Sequence, residues 1–419
     1  MLNVVMYGLG TGGDIDPIVA LGLEFKSRGH KVSVLSNDYF KETIASTGLE
    51  FFSIGTVEQY QRGNSVEAWQ ADNYSDNFEF YHAPAFEPSF EYVKSILWQG
   101  QVVLVALDER NGAVAAALRY GIPFIKVILQ PNLLFSAFSP PAPQCWTITK
   151  KLPGFIVRAL LRINRKHGFE HFYEAPYAAE YIATRERLGC PLLFQTKSDA
   201  NLQLAFFPEW FGMRPKDWPT DLKCIGFHLA NRPNQKAREE MDVLFNQLGS
   251  PIIFTSGTGV KDVAEIFREG RKICELLQIP GLFVGGDIGK EILDGSDLCA
   301  HMSYIDFEYA LPKARAIIHH GGVGTTAQAI KAGIPQLIRP IKYDQPDNAN
   351  RIAKLGLGAY VLPKFFTAET VVPILSSLLA QAPDNEALKK YSADVKRGNA
   401  IADACTLIEQ TMTGVLNKP

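Results

Sequence analysis

The sequence predicts an α/β protein built as two doubly wound domains that face each other across a cleft. Strand and helix patterns alternate from Val4 to Ile128 and again from Pro251 to Ile338, and a polar stretch carrying Pro233 separates the two runs. Such alternation lays strands side by side in a parallel sheet with helices on both faces. A length of 419 residues suits two domains of roughly 200 residues each.

In the first run, Val4–Tyr7 is a short apolar strand followed by Gly8-Leu-Gly-Thr-Gly-Gly13. A helix pattern with Ile18, Leu21, Leu23 and Phe25 ends at Arg28-Gly29-His30, where Gly29 supplies the left-handed residue that closes a helix. Lys31–Leu35 is the next strand, and strand Val102–Leu107, helix Gly112–Tyr120 and strand Phe124–Ile128 form a further unit. Two aromatic-rich stretches interrupt this order and read as irregular excursions. One runs from Tyr60 to Phe90 with Trp69, Tyr74, Phe78, Phe80, Tyr81 and Phe86; the other runs from Pro131 to Tyr181 with Phe135, Phe138, Trp146, Phe155, Phe169, Phe172 and Tyr173. Long excursions from a regular core are often binding surfaces. The second run holds strand Pro251–Thr255, helix Val263–Leu277 and strands Gly281–Gly285, Ala316–Ile318 and Gln336–Ile338, and a polar helix pattern covers about residues 385–412. The expected division is 1–228 for the first, acceptor-side domain, 229–240 for a linker, 241–395 for the second domain, and 396–419 for a C-terminal helix able to pack back on the first.

A hydrophobic content of 47% and a charged content of 21% suit a soluble globular chain, and a net charge of −2 gives no general attraction to nucleic acid. The six cysteines are scattered with no C-x-x-C pair, which fits reduced thiols. The chain enters a strand directly, with no basic leader and no long apolar run, so a cytoplasmic location is expected.

The densest chemistry lies between His319 and Asn350. A buried-strand pattern runs into His319-His320-Gly-Gly-Val-Gly-Thr-Thr326, then a helix, then a second apolar run, then Asp344-Gln345. Tandem histidines suggest a metal site at first sight, yet neighbours at a strand end point to opposite sides and no further ligand cluster accompanies them. One histidine and a glycine turn that opens a helix instead make an anion site: Gly321, Gly322 and Gly324 let the backbone approach a phosphate, and Thr325 and Thr326 begin the helix. Thr255-Ser256-Gly257-Thr258 follows another strand of the same domain and could add donors to a diphosphate. A carboxylate beside an amide, as at Asp344 and Gln345, can hold vicinal hydroxyls. Diphosphate donors and hydroxyl acceptors within one strand–helix–strand unit point to a nucleotide sugar.

In the N-terminal half, Gly8-x-Gly10-x-x-Gly13 is formally a dinucleotide fingerprint, with Asn37-Asp38 near the place of a ribose-binding acid. Asp14 counts against that reading, because a carboxylate there would face the pyrophosphate. Asp16 precedes Pro17 and reads as the helix N-cap. Asp14 is then left in the turn, either as a proton acceptor for a hydroxyl or as a carboxylate held by backbone N–H groups. The helix N-terminus is expected to lower its pKa, leaving it ionised and weakly basic. Asp108 ends a strand on the same sheet edge and could orient a polar partner or contact an acceptor, or serve as a loop carboxylate or helix cap. Lys150, Lys151, Arg158, Arg162, Arg165 and Lys166, interleaved with Phe155, Ile156, Leu160, Leu161 and Ile163, read either as a solvated basic face or as a peripheral membrane contact over residues 150–166.

From His319 to Asn350 the chain resembles the nucleotide-sugar-dependent glycosyltransferases of the two-Rossmann GT-B fold, in the large UDP-glycosyltransferase family. The resemblance implies that His320 contacts the diphosphate. The family's Asn-Ser pair falls on Gly324 and Thr325, keeping only the hydroxyl, and its ribose-binding Glu falls on Gln328. Its sugar-binding Asp-Gln pair falls on Asp344 and Gln345, and its base-stacking aromatic on Tyr304, next to Ile305. The N-terminal Gly-Thr-Gly-Gly-Asp-Ile-Asp-Pro is similar to the bacterial and sterol-type branch, in which Asp14 takes the place of the catalytic His of plant members. The nearest general likeness is to rhamnolipid rhamnosyltransferases and to sterol or antibiotic glycosyltransferases.

The expectation is therefore an inverting, metal-independent hexosyl transfer from a UDP- or dTDP-linked sugar to a hydroxyl of an apolar acceptor: a hydroxy-fatty acid lipid, a sterol or another aglycone. Asp14 would be the base, Asp108 an accessory group, and the nucleotide sugar a co-substrate rather than a cofactor. No nucleic-acid partner is expected. Two alternatives stay open: a sugar-nucleotide epimerase of the same fold, and a non-catalytic nucleotide-sugar- or lipid-binding protein.

Overall fold

The computed structural model describes residues 1–65, 77–134, 136, 138–139, 153, 155–160, 163, 174–190, 198–229, 234–256, 263–285 and 288–416. Two sheets, each wholly parallel among the described residues, organise the chain. The first holds β1 (Asn3–Tyr7), β2 (Lys31–Ser36), β3 (Glu50–Ser53), β4 (Val102–Ala106), β5 (Phe124–Ile128), β6 (Leu202–Ala205) and β7 (Lys223–Cys224), in the order β3-β2-β1-β4-β5-β6-β7. The second holds β8 (Ile252–Thr255), β9 (Gly281–Val284), β10 (Cys299–Met302), β11 (Ala316–His319), β12 (Gln336–Ile338) and β13 (Gly358–Tyr360), in the order β10-β9-β8-β11-β12-β13. Winding reverses between β1 and β4 in one sheet and between β8 and β11 in the other, and at such reversals a crevice opens outside the strands' carboxyl ends. The central strands are apolar throughout, as parallel strands covered on both faces must be; Val103, Leu104, Val105 and Ala106 are all fully buried.

Ile15, Ile18, Leu21 and Phe25 of the helix Gly12–Ser27 cover one face of the first sheet, beside Ala404, Cys405, Ile408 and Met412 of the last helix, Ala400–Leu416. The C-terminal polar pattern is thus two helices, Glu386–Arg397 and Ala400–Leu416. The second of these completes the N-terminal core, and Glu409 fixes it at the edge through Arg28 and His30, each at 2.8 Å.

Two further expectations change. Residues 235–240 of the expected linker are helical: Asn234 caps the helix Gln235–Leu248 by accepting from the Ala237 N–H at 3.0 Å. The described residues between Tyr60 and Phe90 are largely regular, with helices Val57–Gly63 and Phe86–Ser95 around a π-helical turn at Phe78–His82. Trp69, Tyr74, Phe135, Trp146, Phe169, Phe172 and Tyr173 lie outside the described residues, as do Lys150, Lys151, Leu161, Arg162, Arg165 and Lys166. Among the described residues no helix is long and apolar enough to cross a membrane.

A shared apolar core joins the two halves: Phe207, Phe211, Trp218 and Phe227 pack with Ile330, Ile352, Leu388 and Val395. Polar contacts reinforce it. The buried Arg351 guanidinium donates to the carbonyls of Phe211 and Gly212 at 3.0 and 2.7 Å, and the Trp210 indole N–H donates to Asp394 at 2.6 Å. These contacts set the carboxyl edges of the two sheets opposite one another.

Candidate active site

At the first reversal, the turn after β1 enters its helix earlier than the sequence suggests. Thr11 is the N-cap and Asp14 the third helical residue. The Thr11 N–H and hydroxyl both donate to Asp14 Oδ2, at 2.8 and 3.1 Å, and the Asp14 N–H returns to the Thr11 carbonyl at 2.9 Å. This is a capping box. Asp16 is therefore not the N-cap, and Pro17 falls in the second turn, where the helix forgoes one hydrogen bond. Asp14 does have a structural duty, but it spends only one oxygen on it; among the described residues Oδ1 has no hydrogen-bond partner. The expected direction of its pKa is also reversed. Burial raises it, and the Thr11 bonds offset this only in part. Asp14 is thus a stronger base than a helix-terminal aspartate, with one edge open to solvent.

Asp108 follows β4 on the same edge. It is not a helix cap, because Asn111 takes that role by accepting from the Val114 N–H at 2.9 Å. Burial would raise its pKa, but Arg110 at 3.4 Å, His82 and Lys126 outweigh this and hold it below the usual value. It is an ionised, half-exposed carboxylate, suited to orienting a partner and poorly suited to taking a proton. Sequence reasoning missed His82, whose imidazole burial drives down to about 4 beside Asp108.

At the second reversal, β11 and β8 lie side by side, with His319 in register with Thr255. His319 is structural. Its Nδ1 accepts from the Gly321 N–H at 3.1 Å, so its Nε2 carries the hydrogen that meets Gln336 Oε1 at 3.0 Å. His320 turns to the other side, and burial lowers it to about 4. It is a neutral imidazole whose Nδ1 has no partner among the described residues. It can give an N–H to an anion but brings no positive charge. Gly321 makes the turn at φ +95°, where a Cβ would press on Ile338. The helix Val323–Ala332 then starts at Gly322 with no side-chain cap and no acid in its first turn. Its first N–H groups, beside the exposed Gly324 and half-buried Thr325, have no intrahelical acceptor. Thr255 and Ser256 are buried at the end of β8; Gly257 and Thr258 lie outside the described residues.

Gln328 is buried one turn beyond Thr325 on the same face. Tyr304 stands 44% exposed beyond β10, beside the buried Ile305. Three strand spacings separate β10 from β11, roughly 14 Å, a span that an extended nucleoside diphosphate can bridge.

Asp344 caps the helix Gln345–Lys354 from a tight turn in which Tyr343 adopts a left-handed φ of +56°. Burial pushes the Asp344 carboxyl up to about 7; hydrogen bonds from its own backbone, from Asn348 and from the Val323 N–H at the start of the preceding helix oppose this, while the charge of Asp14 adds to it. The two carboxyls, from opposite halves, thus lie within electrostatic reach of one another. Gln345 Oε1 is occupied by the N–H groups of Ile341 and Lys342, at 2.8 and 3.2 Å. The expected carboxylate–amide pair therefore reduces to one carboxyl and one amide NH2. Asn348, also missed from sequence, donates to the Gly321 carbonyl at 2.9 Å and to Asp344 at 2.7 Å, tying the glycine turn to the Asp344 carboxyl. The only hint was its i+4 spacing from Asp344. Among the described residues no cluster of three His, Cys, Asp or Glu could hold a metal ion.

Two reversed-winding parallel sheets with facing carboxyl edges make the GT-B architecture. Residues 4–96 match the glycosyltransferase family 28 N-terminal domain, and residues 297–412 match the erythromycin biosynthesis protein CIII-like C-terminal domain. O-mycaminosyltylonolide 6-deoxyallosyltransferase of Streptomyces fradiae is 23% identical over 428 residues, covering 98% of this chain and 97% of that one. A sterol 3-beta-glucosyltransferase of Arabidopsis thaliana is 24% identical over 390 residues, covering 86% of this chain and 58% of its own, so the chain spans less than two thirds of that relative. The glycosyltransferase VinC in complex with dTDP superposes with a TM-score of 0.68 at 17% identity, over 98% of this chain and 99% of that one. The chain is a glycosyltransferase of the GT-B type, similar to the UDP-glycosyltransferase family.

Proposed function

We propose that the protein is an inverting, metal-independent hexosyltransferase that moves a sugar from a UDP- or dTDP-linked donor to a hydroxyl of an apolar acceptor. The observation that carries this reading is the helix N-terminus at Gly322–Thr325, which has no acid of its own, with the Asp344 carboxyl beside it within electrostatic reach of Asp14. In this reading the diphosphate lies on the turn Gly322–Thr325, with His320 as an N–H donor and Thr255 and Ser256 alongside. Tyr304 stacks on the base, Ile305 backs it, and Gln328 meets the ribose. Asp344 and the Gln345 amide bind sugar hydroxyls. Asp14 Oδ1 takes the acceptor's proton as its oxygen bonds to the anomeric carbon from the face opposite the diphosphate. The bond from that carbon to the diphosphate oxygen breaks, and the nucleoside diphosphate leaves with the electron pair. Charge growing on it is stabilised by the helix N-terminus and the imidazole N–H. Asp108 orients the acceptor side.

The acceptor is apolar in this reading. Tyr39 and Tyr60 stack at 3.9 Å on the acceptor edge, with Tyr39 half exposed. The named activities of the relatives, on a tylonolide and on sterols, support an aglycone of that character. The complex of VinC with dTDP supports a nucleoside diphosphate in the second domain. Exposed Phe155, Leu160 and Ile163 support a peripheral contact with a lipid surface.

Asp14→Asn tests the mechanism. Transfer from a labelled donor to a hydrophobic acceptor pool, read by product mass, should fall by two or more orders of magnitude while nucleoside diphosphate affinity is kept. Near-normal turnover removes Asp14 as the base. An isomerised donor with no acceptor adduct would make the protein an epimerase instead.

A further inference from the structure

The capping box makes Asp14 rigid relative to Thr11, but it does not fix the glycine-rich turn to the body of the domain. That task falls to Tyr81. Its ring is buried, and its hydroxyl does two things at one residue: it donates to the Gly10 carbonyl at 3.0 Å and accepts from the Gly10 N–H at 3.1 Å. Gly10 has φ +140°, and a Cβ there would overlap the Asp14 carboxylate. Tyr81 thus grips the residue that lies directly against Asp14 and precedes its hydrogen-bond donor. The grip comes from the π-helical turn Phe78–His82, closed by the Ala83 N–H on the Phe78 carbonyl at 2.8 Å. Such a turn carries one extra residue and often marks a functional site. On its other side the Tyr81 ring meets Tyr60 edge-on at 5.6 Å, and Tyr60 stacks on the half-exposed Tyr39. A file of three rings therefore runs from the acceptor edge to the turn that carries Asp14.

We propose that Tyr81 is a positioning residue for Asp14, clamping Gly10 so that the free carboxylate oxygen faces the acceptor hydroxyl. The clamp rests on the reading of Asp14 as the base. Without Tyr81, the hydrogen bonds left to the turn among the described residues are its own capping bonds and the Gly8 N–H on the Leu35 carbonyl at 3.1 Å, and Gly10, Gly12 and Gly13 leave it free to swing.

Tyr81→Phe keeps the ring and removes both bonds. The expected result is a kcat lowered about a hundredfold, as for an ångström-scale misplacement, with donor KM unchanged. The acid limb of the rate profile should also move to lower pH, because a loosened turn exposes Asp14 to water; Asp344, Tyr60 and Tyr81 are the titratable groups that face it. In an Asp14→Asn background the same change should cost nothing more. A purely structural tyrosine would lower Tm and leave the pH profile in place. Parental kcat and acid limb in a folded Tyr81→Phe enzyme overturn the clamp, as does full additivity with Asp14→Asn. Should Tyr81→Phe not fold, Gly63→Ala serves, since its Cβ would lie 2.6 Å from Tyr81 Cβ and displace the ring with the hydroxyl intact; a parental pH profile there also overturns the proposal. If Asp14→Asn is itself near-normal, the base assignment has failed, and that outcome is separate from a failure of the clamp alone.

Discussion

Arg351 offers the sharpest test of how the two halves are held. Its guanidinium and the Asp347 carboxylate are each 5% exposed and meet at 2.7 Å. Its Nη1 donates to both the Phe211 and Gly212 carbonyls in the other half. Arg351→Met keeps most of the volume and removes every one of these bonds. Breaking a buried ion pair from one side costs ~3–5 kcal/mol, and the two carbonyls add about 1 kcal/mol each. A loss of roughly 5–7 kcal/mol in total would consume a large share of an ordinary domain's stability. Urea unfolding followed by tryptophan fluorescence reads it directly, since Trp210 and Trp218 lie in the joining core. Asp347→Leu with Arg351→Met removes both charges and should recover most of the loss, leaving about 2 kcal/mol for the carbonyls. A single variant within about 1 kcal/mol of the parent, or a double variant no better than the single, would refute the reasoning.

Asp344 should make stability pH-dependent. Its folded pKa is raised to about 7, so the folded state holds a proton that the unfolded chain releases, and stability falls as pH rises from about 4 to 7. Asp344→Asn should flatten the Tm–pH curve over that window, and parallel curves for variant and parent would refute the carboxyl's burial. His320→Ala should weaken nucleoside diphosphate binding about tenfold or more, by a factor constant between pH 6 and 8, because the ring is already neutral there; titration calorimetry at the two pH values checks this. Ile408→Ala in the last helix should cost ~2–5 kcal/mol and destabilise the N-terminal half, which hydrogen exchange of β1 and β2 would report.

The parts legible in the sequence are those where local pattern and tertiary role coincide. β8, β11 and β12 are short apolar runs because both sheet faces are covered, and a glycine turn between β11 and its helix can be read as an anion site without further information. Asp14 shows where this stops. Thr11-x-x-Asp14 is a capping-box signature, but Gly12 and Gly13 disguise the helix start and Pro17 suggests a later one. Its raised pKa comes from burial among residues remote in sequence. The helix at Gln235 was hidden because only Ala237, Met241 and Phe245 turn inward, a stripe too narrow to stand out from a charged surface. Tyr81 carried no local signal at all: its partner Gly10 lies in another element, and the clamp exists only once a π-helical turn has swung its hydroxyl onto that residue.

One helix face connects these observations. Asp344, Asn348 and Arg351 fall at i, i+4 and i+7, so they share one side of the segment that begins at the cleft. The first opens the segment at the cleft, the second ties its carboxyl to the glycine turn, and the third locks the same helix onto the Phe211 and Gly212 carbonyls. A rigid helix transmits displacement along its axis, so the interdomain lock and the sugar carboxyl cannot move independently. The shared core of Phe207, Phe211, Phe227, Ile330 and Ile352 lies on the same side. The two halves are therefore held together at that core, beside the bonds that Arg351 makes to the Phe211 and Gly212 carbonyls.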